Sequence, residues 1–206
     1  MTTPSLDDLR AAWTIRPGFS TRREVIDLLA DGKPATPNAL AAATGLSIEQ
    51  VTAHIDDARR RGVEVEDGAI VGAALTLRPT EHRFRVRGHD LYTWCGFDAL
   101  FLPVLLGEPA AVASTCPVTG TDIRLTVEAD GTVSHSSPKT VVVGIVGQDV
   151  TSCCPVSGPG SAVCTQMPFL ASREAGERWL AGHPGVAVVN LDDAREIARA
   201  YIDSLS

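Results

Sequence analysis

Apolar positions in the first 80 residues recur at helical spacing in short blocks, each closed by turn-forming residues. Residues 6–13 and 22–30 predict two helices, the second ended by Asp31-Gly32. Thr36-Pro37 opens a third over residues 38–43, which stops near Gly45. Ser47-Ile48-Glu49-Gln50 has capping-box form and starts a longer helix, with Val51, Ile55 and Ala58 on one stripe. Residues 63–66 and 69–71 then flank Asp67-Gly68, a pair suited to a two-residue hairpin turn. Helices followed by a hairpin is the winged-helix order, with the fourth helix in the place of a recognition helix.

From His82 the period changes. Phe84-Arg85-Val86 alternates like a strand, Gly88 breaks it, and the apolar run over residues 91–106 predicts a helix that Pro103 should kink or end. Strands are predicted over residues 111–115, 123–127, 132–135 and 140–146, with turns at Val118-Thr119-Gly120 and Ala129-Asp130-Gly131. A helix over residues 172–180, a strand over 186–190 and a helix over 192–202 complete the chain. The fold class is α+β. A winged-helix-like helical module spans residues 1–80, and a mixed, mostly antiparallel sheet with flanking helices spans residues 81–206.

Charge bears on what the helical module does. Residues 1–80 carry nine Lys and Arg against eleven Asp and Glu, and the whole chain of 206 residues has a formal net charge of −7. A DNA reader presents a basic face. Arg59-Arg60-Arg61, at the C-terminal end of the fourth helix, is more simply a solvated end that complements the helix dipole. The module is therefore expected to serve packing rather than nucleic acid. The start of the chain lacks a basic segment leading into an apolar one, and no apolar stretch reaches the roughly 20 residues of a membrane helix. A cytoplasmic protein is expected.

Five cysteines, Cys95, Cys116, Cys153, Cys154 and Cys164, are an odd number without paired spacing, which argues for thiols rather than a disulfide framework. Trp94-Cys95-Gly96-Phe97-Asp98 sets a thiol and a carboxyl one turn apart if the run is helical. A thiolate takes soft metals, and a carboxyl held among Phe97, Leu100, Phe101 and Leu102 would stay protonated near neutrality and carry a proton. Spacing alone serves a solvent-facing Asp98 and a merely packed Cys95 equally well. Cys164 lies after a Gly/Pro/Ser-rich stretch, Cys116 reads as a strand-end structural thiol, and the histidines at 54, 82, 89, 135 and 183 show no ligand spacing.

Leu75-Thr76-Leu77-Arg78-Pro79-Thr80, then Leu91-Tyr92-Thr93-Trp94-Cys95-Gly96-Phe97-Asp98 with Phe101-Leu102-Pro103-Val104-Leu105-Leu106-Gly107, and Cys164 through Leu170 together resemble the organomercurial (alkylmercury) lyase family. The family's second cysteine stands in a Phe-Cys context where this chain has Val163-Cys164. Cys153-Cys154 is the rival for that place, and Cys164 is preferred because residues 169–172 continue in register into the next helix. The resemblance implies protonolysis of a carbon–mercury bond, with Cys95, Cys164 and Asp98 as the catalytic set and as the transient holders of Hg(II). It implies no built-in cofactor, an organomercury substrate, and removal of Hg(II) by exogenous thiols or a mercuric reductase. The competing readings are a diverged soft-metal binder on the same fold and a metal-responsive winged-helix regulator.

Overall fold

A computed structural model of the chain describes residues 4–14, 22–147 and 163–205. Cys153 and Cys154 lie outside the described residues.

Four helices come first: α1 (Leu6–Thr14), α2 (Arg22–Ala30), α3 (Pro37–Thr44) and α4 (Ile48–Arg60). Their ends follow local chemistry. The Thr36 hydroxyl accepts the Ala39 N–H ahead of Pro37, and Ser47 and Gln50 form the reciprocal capping box that starts α4. Val51, Ile55 and Ala58 are buried on one face of α4. At its far end Asp57 binds Arg60 at 3.2 Å and Arg61 at 2.8 Å, so part of the basic run is neutralised within its own helix. Strands β1 (Glu64–Glu66) and β2 (Ala69–Ala73) then form the expected hairpin, with Asp67 at φ 48° and Gly68 at φ 79°.

A short β3 (Leu75–Thr76) leads to a second hairpin, β4 (His82–Val86) and β5 (His89–Thr93). Here the structure corrects the sequence reading. Residues 91–93 are strand, and helix α5 runs over Gly96–Leu106. Arg87 at φ 52° and Gly88 at φ 79° make a tight turn that folds the chain back on β4, pairing Phe84 with Leu91 and His82 with Thr93. An apolar run of this kind serves a buried strand as well as a helix, and the turn decides between them. Pro103 does not end α5, which continues to Leu106 and closes at Gly107. Ten of its eleven residues are buried, and that burial outweighs the roughly 3 kcal/mol a mid-helix proline costs.

Among the described residues the remaining helices and strands are β6 (Ala110–Thr115), β7 (Asp122–Val127), β8 (Val133–Ser137), β9 (Val142–Val146), β10 (Phe169–Leu170), α6 (Arg173–Leu180), β11 (Val186–Asn190) and α7 (Leu191–Asp203). They build two sheets, in the orders β1-β2-β3-β5-β4-β6-β7-β8 and β10-β9-β11, and every pairing within them is antiparallel. The larger sheet takes strands from both sides of residue 80. Helix α5 packs against β4 and β5 of this sheet, against β9 of the smaller one, and against α7. Its apolar face meets an aromatic cluster in which the Phe97 ring lies 4.4 Å from Trp13 of α1 and 6.5 Å from Tyr201 of α7. No helix among the described residues is long and apolar enough to cross a membrane.

One buried polar pair has a consequence for stability. His82 faces inward from β4, with its Nδ1 2.8 Å from the Ser114 hydroxyl and its ring edge-on to Phe169. Burial lowers its pKa from 6.5 to about 4. A depressed histidine keeps its full contribution above pH 6.5 and loses it as pH falls toward 4, because the unfolded chain takes up the proton first. The drop amounts to about 3 kcal/mol at most, at about 1.36 kcal/mol per pKa unit. Urea midpoints should therefore fall between pH 6.5 and 4, and His82→Gln should flatten that part of the profile. An equal fall in the variant would assign the acid sensitivity to other groups.

Candidate active site

Cys95 is the N-cap of α5, with an extended backbone at φ −151° and ψ 172°. Its sulfur accepts the Asp98 N–H at 3.4 Å, and Asp98 Oδ2 accepts the Cys95 N–H at 3.1 Å. This is a capping box built from a thiol and a carboxylate, in place of the usual hydroxyl and longer acid. The two groups are therefore neighbours through the cap, and not through a continuous helical face. The strand assignment of residues 91–93 makes this so.

Cys164 opens a short 3-10 turn, Cys164–Gln166, in the chain that leads into β10. Three donors hold that segment. Gly96 N–H reaches Met167 O at 2.9 Å, Gly144 N–H reaches Pro168 O at 3.0 Å, and the Trp179 indole N–H from α6 reaches Gln166 O at 3.4 Å. One close approach is at Gly96, the first residue of α5. A Cβ there would lie 3.0 Å from Met167 O and 3.1 Å from Phe169 N, so glycine is what lets the helix start press on the Cys164 segment.

The outcome is a compact donor set. One Cys95 sulfur, one Cys164 sulfur and one Asp98 carboxylate oxygen all lie within 4.8 Å of one another, and all three residues are buried. It is the only such cluster found among the described residues. Two metal–thiolate bonds of about 2.3 Å each span about 4.6 Å, so both sulfurs can share one soft, two-coordinate metal with little movement. Asp98 is 7% exposed, which excludes the reading of a helix-surface carboxylate turned to solvent.

Electrostatics keep the resting Cys95 thiol protonated. Burial pushes the Cys95 thiol well above its ordinary range, and its hydrogen bond with Cys164 and the negative charge of Asp98 push the same way. The Asp98 backbone N–H opposes them without prevailing. Cys95 thus holds its proton at neutral pH until something exchanges for it.

Cys116 sits elsewhere, buried just past β6. Burial raises its pKa, but the Thr119 hydroxyl and the backbone N–H groups of Ala171, Val118 and Thr119 outweigh this and lower it overall. Sequence reasoning passed over Gly96 and Trp179. A glycine inside the first turn of an otherwise strong helix was a usable signal for the first, since glycine is a poor helix former. Nothing local marks Trp179, whose partner is 13 residues away.

A family model described as alkylmercury lyase matches residues 75–203, and one described as the helix-turn-helix domain of alkylmercury lyase matches residues 11–74. The chain belongs to the alkylmercury lyase family. Alkylmercury lyase of Streptomyces lividans is 40% identical over 184 residues, covering 89% of this chain and 82% of that protein. Alkylmercury lyase of Staphylococcus epidermidis is 39% identical over 177 residues, covering 86% and 79%. A crystal structure of the mercury-bound form of MerB2 superposes with a TM-score of 0.78 at 24% identity, over 97% of this chain and 100% of that one. This last likeness is one of fold. Helical module first and antiparallel sheet with flanking helices after it is the architecture this alkylmercury lyase family member shares with it.

Proposed function

We propose that Cys95, Cys164 and Asp98 carry out protonolysis of a carbon–mercury bond, releasing a hydrocarbon and leaving Hg(II) between the two sulfurs. The enzyme class is that of the family to which the chain belongs. The observation that carries the residue assignment is the buried triad of two sulfurs and one carboxylate within 4.8 Å.

An R–Hg–thiolate substrate exchanges ligands at Cys95: the sulfur takes mercury, and the thiol proton leaves with the departing thiolate. Cys164 then adds as a second ligand and passes its proton to the Asp98 carboxylate. Two sulfur donors enrich the carbon bound to mercury in electrons. Asp98 returns the proton to that carbon, the carbon–mercury bond breaks, and R–H departs. Mercury(II), soft and thiophilic, stays on the two sulfurs until exogenous thiols or a mercuric reductase remove it. Burial excludes water and strengthens each charge interaction in these steps. The residues need no resident cofactor for them. In this reading residues 1–80 form a structural winged-helix-like module, residues 81–206 form the catalytic α+β part, and the reducing cytoplasm keeps the thiols available.

Methylmercury supplied with excess thiol should yield methane, measured by gas chromatography. Cys95→Ala should reduce release to background, because no single remaining sulfur then both captures the substrate and sits on the Asp98 N–H. Unchanged release would remove Cys95 from the mechanism. Mercury uptake without methane from the unaltered protein would leave a soft-metal binder in place of a lyase.

A further inference from the structure

The segment Leu75-Thr76-Leu77-Arg78-Pro79-Thr80 takes no part in the chemistry above, yet two of its side chains converge on a carboxylate from the N-terminal hairpin. Glu64 of β1 has a side chain only 10% exposed. Its Oε2 accepts the Thr76 hydroxyl at 2.6 Å and the Trp94 indole N–H at 3.1 Å, while Arg78 stands 3.7 Å from Oε1. The carboxylate lies over Gly72, the residue paired with Glu64 in the hairpin, where a Cβ would overlap it. Thr76 is fully buried. A carboxylate so enclosed, with each oxygen given a partner, is held in one place.

What it holds is the residue immediately before Cys95. Trp94 is fixed at both ends, its backbone N–H on Ala74 O at 3.0 Å and its indole N–H on Glu64. The same linker reaches the next residue back, where the Thr80 hydroxyl donates to Thr93 O at 2.6 Å, and the Thr93 hydroxyl in turn donates to Cys95 O at 2.9 Å. The residue ahead of an N-cap sets the angle at which the chain joins the helix. Here that angle aims the Cys95 sulfur.

We infer that Glu64 is a positioning residue for the lyase reaction, which tethers the Trp94 indole and thereby holds Cys95 in register with Asp98 and Cys164. The helical module then does more than pack, since its hairpin supplies one wall of the scaffold on which the reacting thiol rests. The inference builds on the proposed protonolysis, but the tether itself is a statement about Cys95 and has its own readout.

The experiment compares Glu64→Leu, Glu64→Gln, Trp94→Phe and the Glu64→Leu/Trp94→Phe double variant of the full chain. Methane release from methylmercury is followed, and so is the rate at which iodoacetamide alkylates Cys95 and Cys116, read by peptide mass spectrometry. Glu64→Leu should lower kcat by about 10-fold or more, as expected for a misplaced reacting group. Glu64→Gln, which still accepts the indole N–H, should recover to within about 3-fold. Trp94→Phe should match Glu64→Leu, and the double variant should lose about 10-fold and not the roughly 100-fold of independent sites. Alkylation of Cys95 should rise about 10-fold relative to Cys116, which separates a local release from general loosening. Wild-type kcat and wild-type Cys95 alkylation in Trp94→Phe would overturn the inference, as would multiplicative losses or equal gains at both cysteines. If Glu64→Leu fails to fold, Trp94→Phe decides, because it deletes the indole N–H and leaves the carboxylate and its other partners. Absence of methane from the unaltered protein would refute the lyase reading alone, and the alkylation ratio would still judge the tether.

Discussion

Asp98→Asn should lower hydrocarbon release by about 100- to 10,000-fold, the span typical of losing a positioned proton donor, while mercury uptake by the two thiols persists. The substitution is unusually clean in this setting. The asparagine side-chain oxygen can still accept the Cys95 N–H that Asp98 Oδ2 accepts at 3.1 Å, so the cap on α5 survives and the fold is little changed. What disappears is the capacity to take a proton from a thiol and return it to carbon. The same change removes the negative charge that helps raise the Cys95 pKa, so the thiol should exchange with Hg(II) at least as readily as before. Binding and turnover therefore separate. Turnover within about 3-fold of the original would show that another group carries the proton, against the typical contribution above.

Gly96→Ala should damage both catalysis and stability. A Cβ at this position meets Met167 O at 3.0 Å, Phe169 N at 3.1 Å and the Phe169 ring at 3.2 Å. Two of these are backbone atoms of the segment that carries Cys164, and neither can rotate away. Overpacking of this kind costs about 1–3 kcal/mol. Alanine in place of glycine in a helix returns up to about 1 kcal/mol. The net loss of stability should thus be about 2 kcal/mol or less, read as a lower urea midpoint. The Gly96 N–H bond to Met167 O would lengthen, and the Cys164 sulfur would move by a few tenths of an ångström from Cys95. Displacements of about 1 Å at reacting groups cost about 100-fold, so a shift of a few tenths should cost roughly 3- to 10-fold in kcat. Full activity in a stably folded Gly96→Ala variant would show that the sulfur-to-sulfur distance is not set here.

Elements with their signals in contiguous residues are legible in the sequence. The Ser47–Gln50 capping box, the Asp67-Gly68 turn and the alternation along residues 123–127 each encode structure through neighbours one to four positions apart. The run over residues 91–106 misled because apolar character without a period does not separate a buried strand from a buried helix. Its strand portion is dictated by pairing with β4, a partner the run itself does not contain. The surroundings of Asp98 were equally out of reach, since exposure depends on what packs against a face.

Sequence alone determined the four helices and hairpin at the start, the thiol and carboxyl types available, and the likeness that singled out Cys95, Asp98 and Cys164, because each of these is written in local pattern or residue chemistry. Tertiary structure decided that sulfurs 69 positions apart share one buried pocket, that a glycine admits the approach, and that Glu64 braces the residue before Cys95. Those contacts come from packing two sheets around α5. Packing is a property of the whole chain, summed over surfaces that meet only once it has folded.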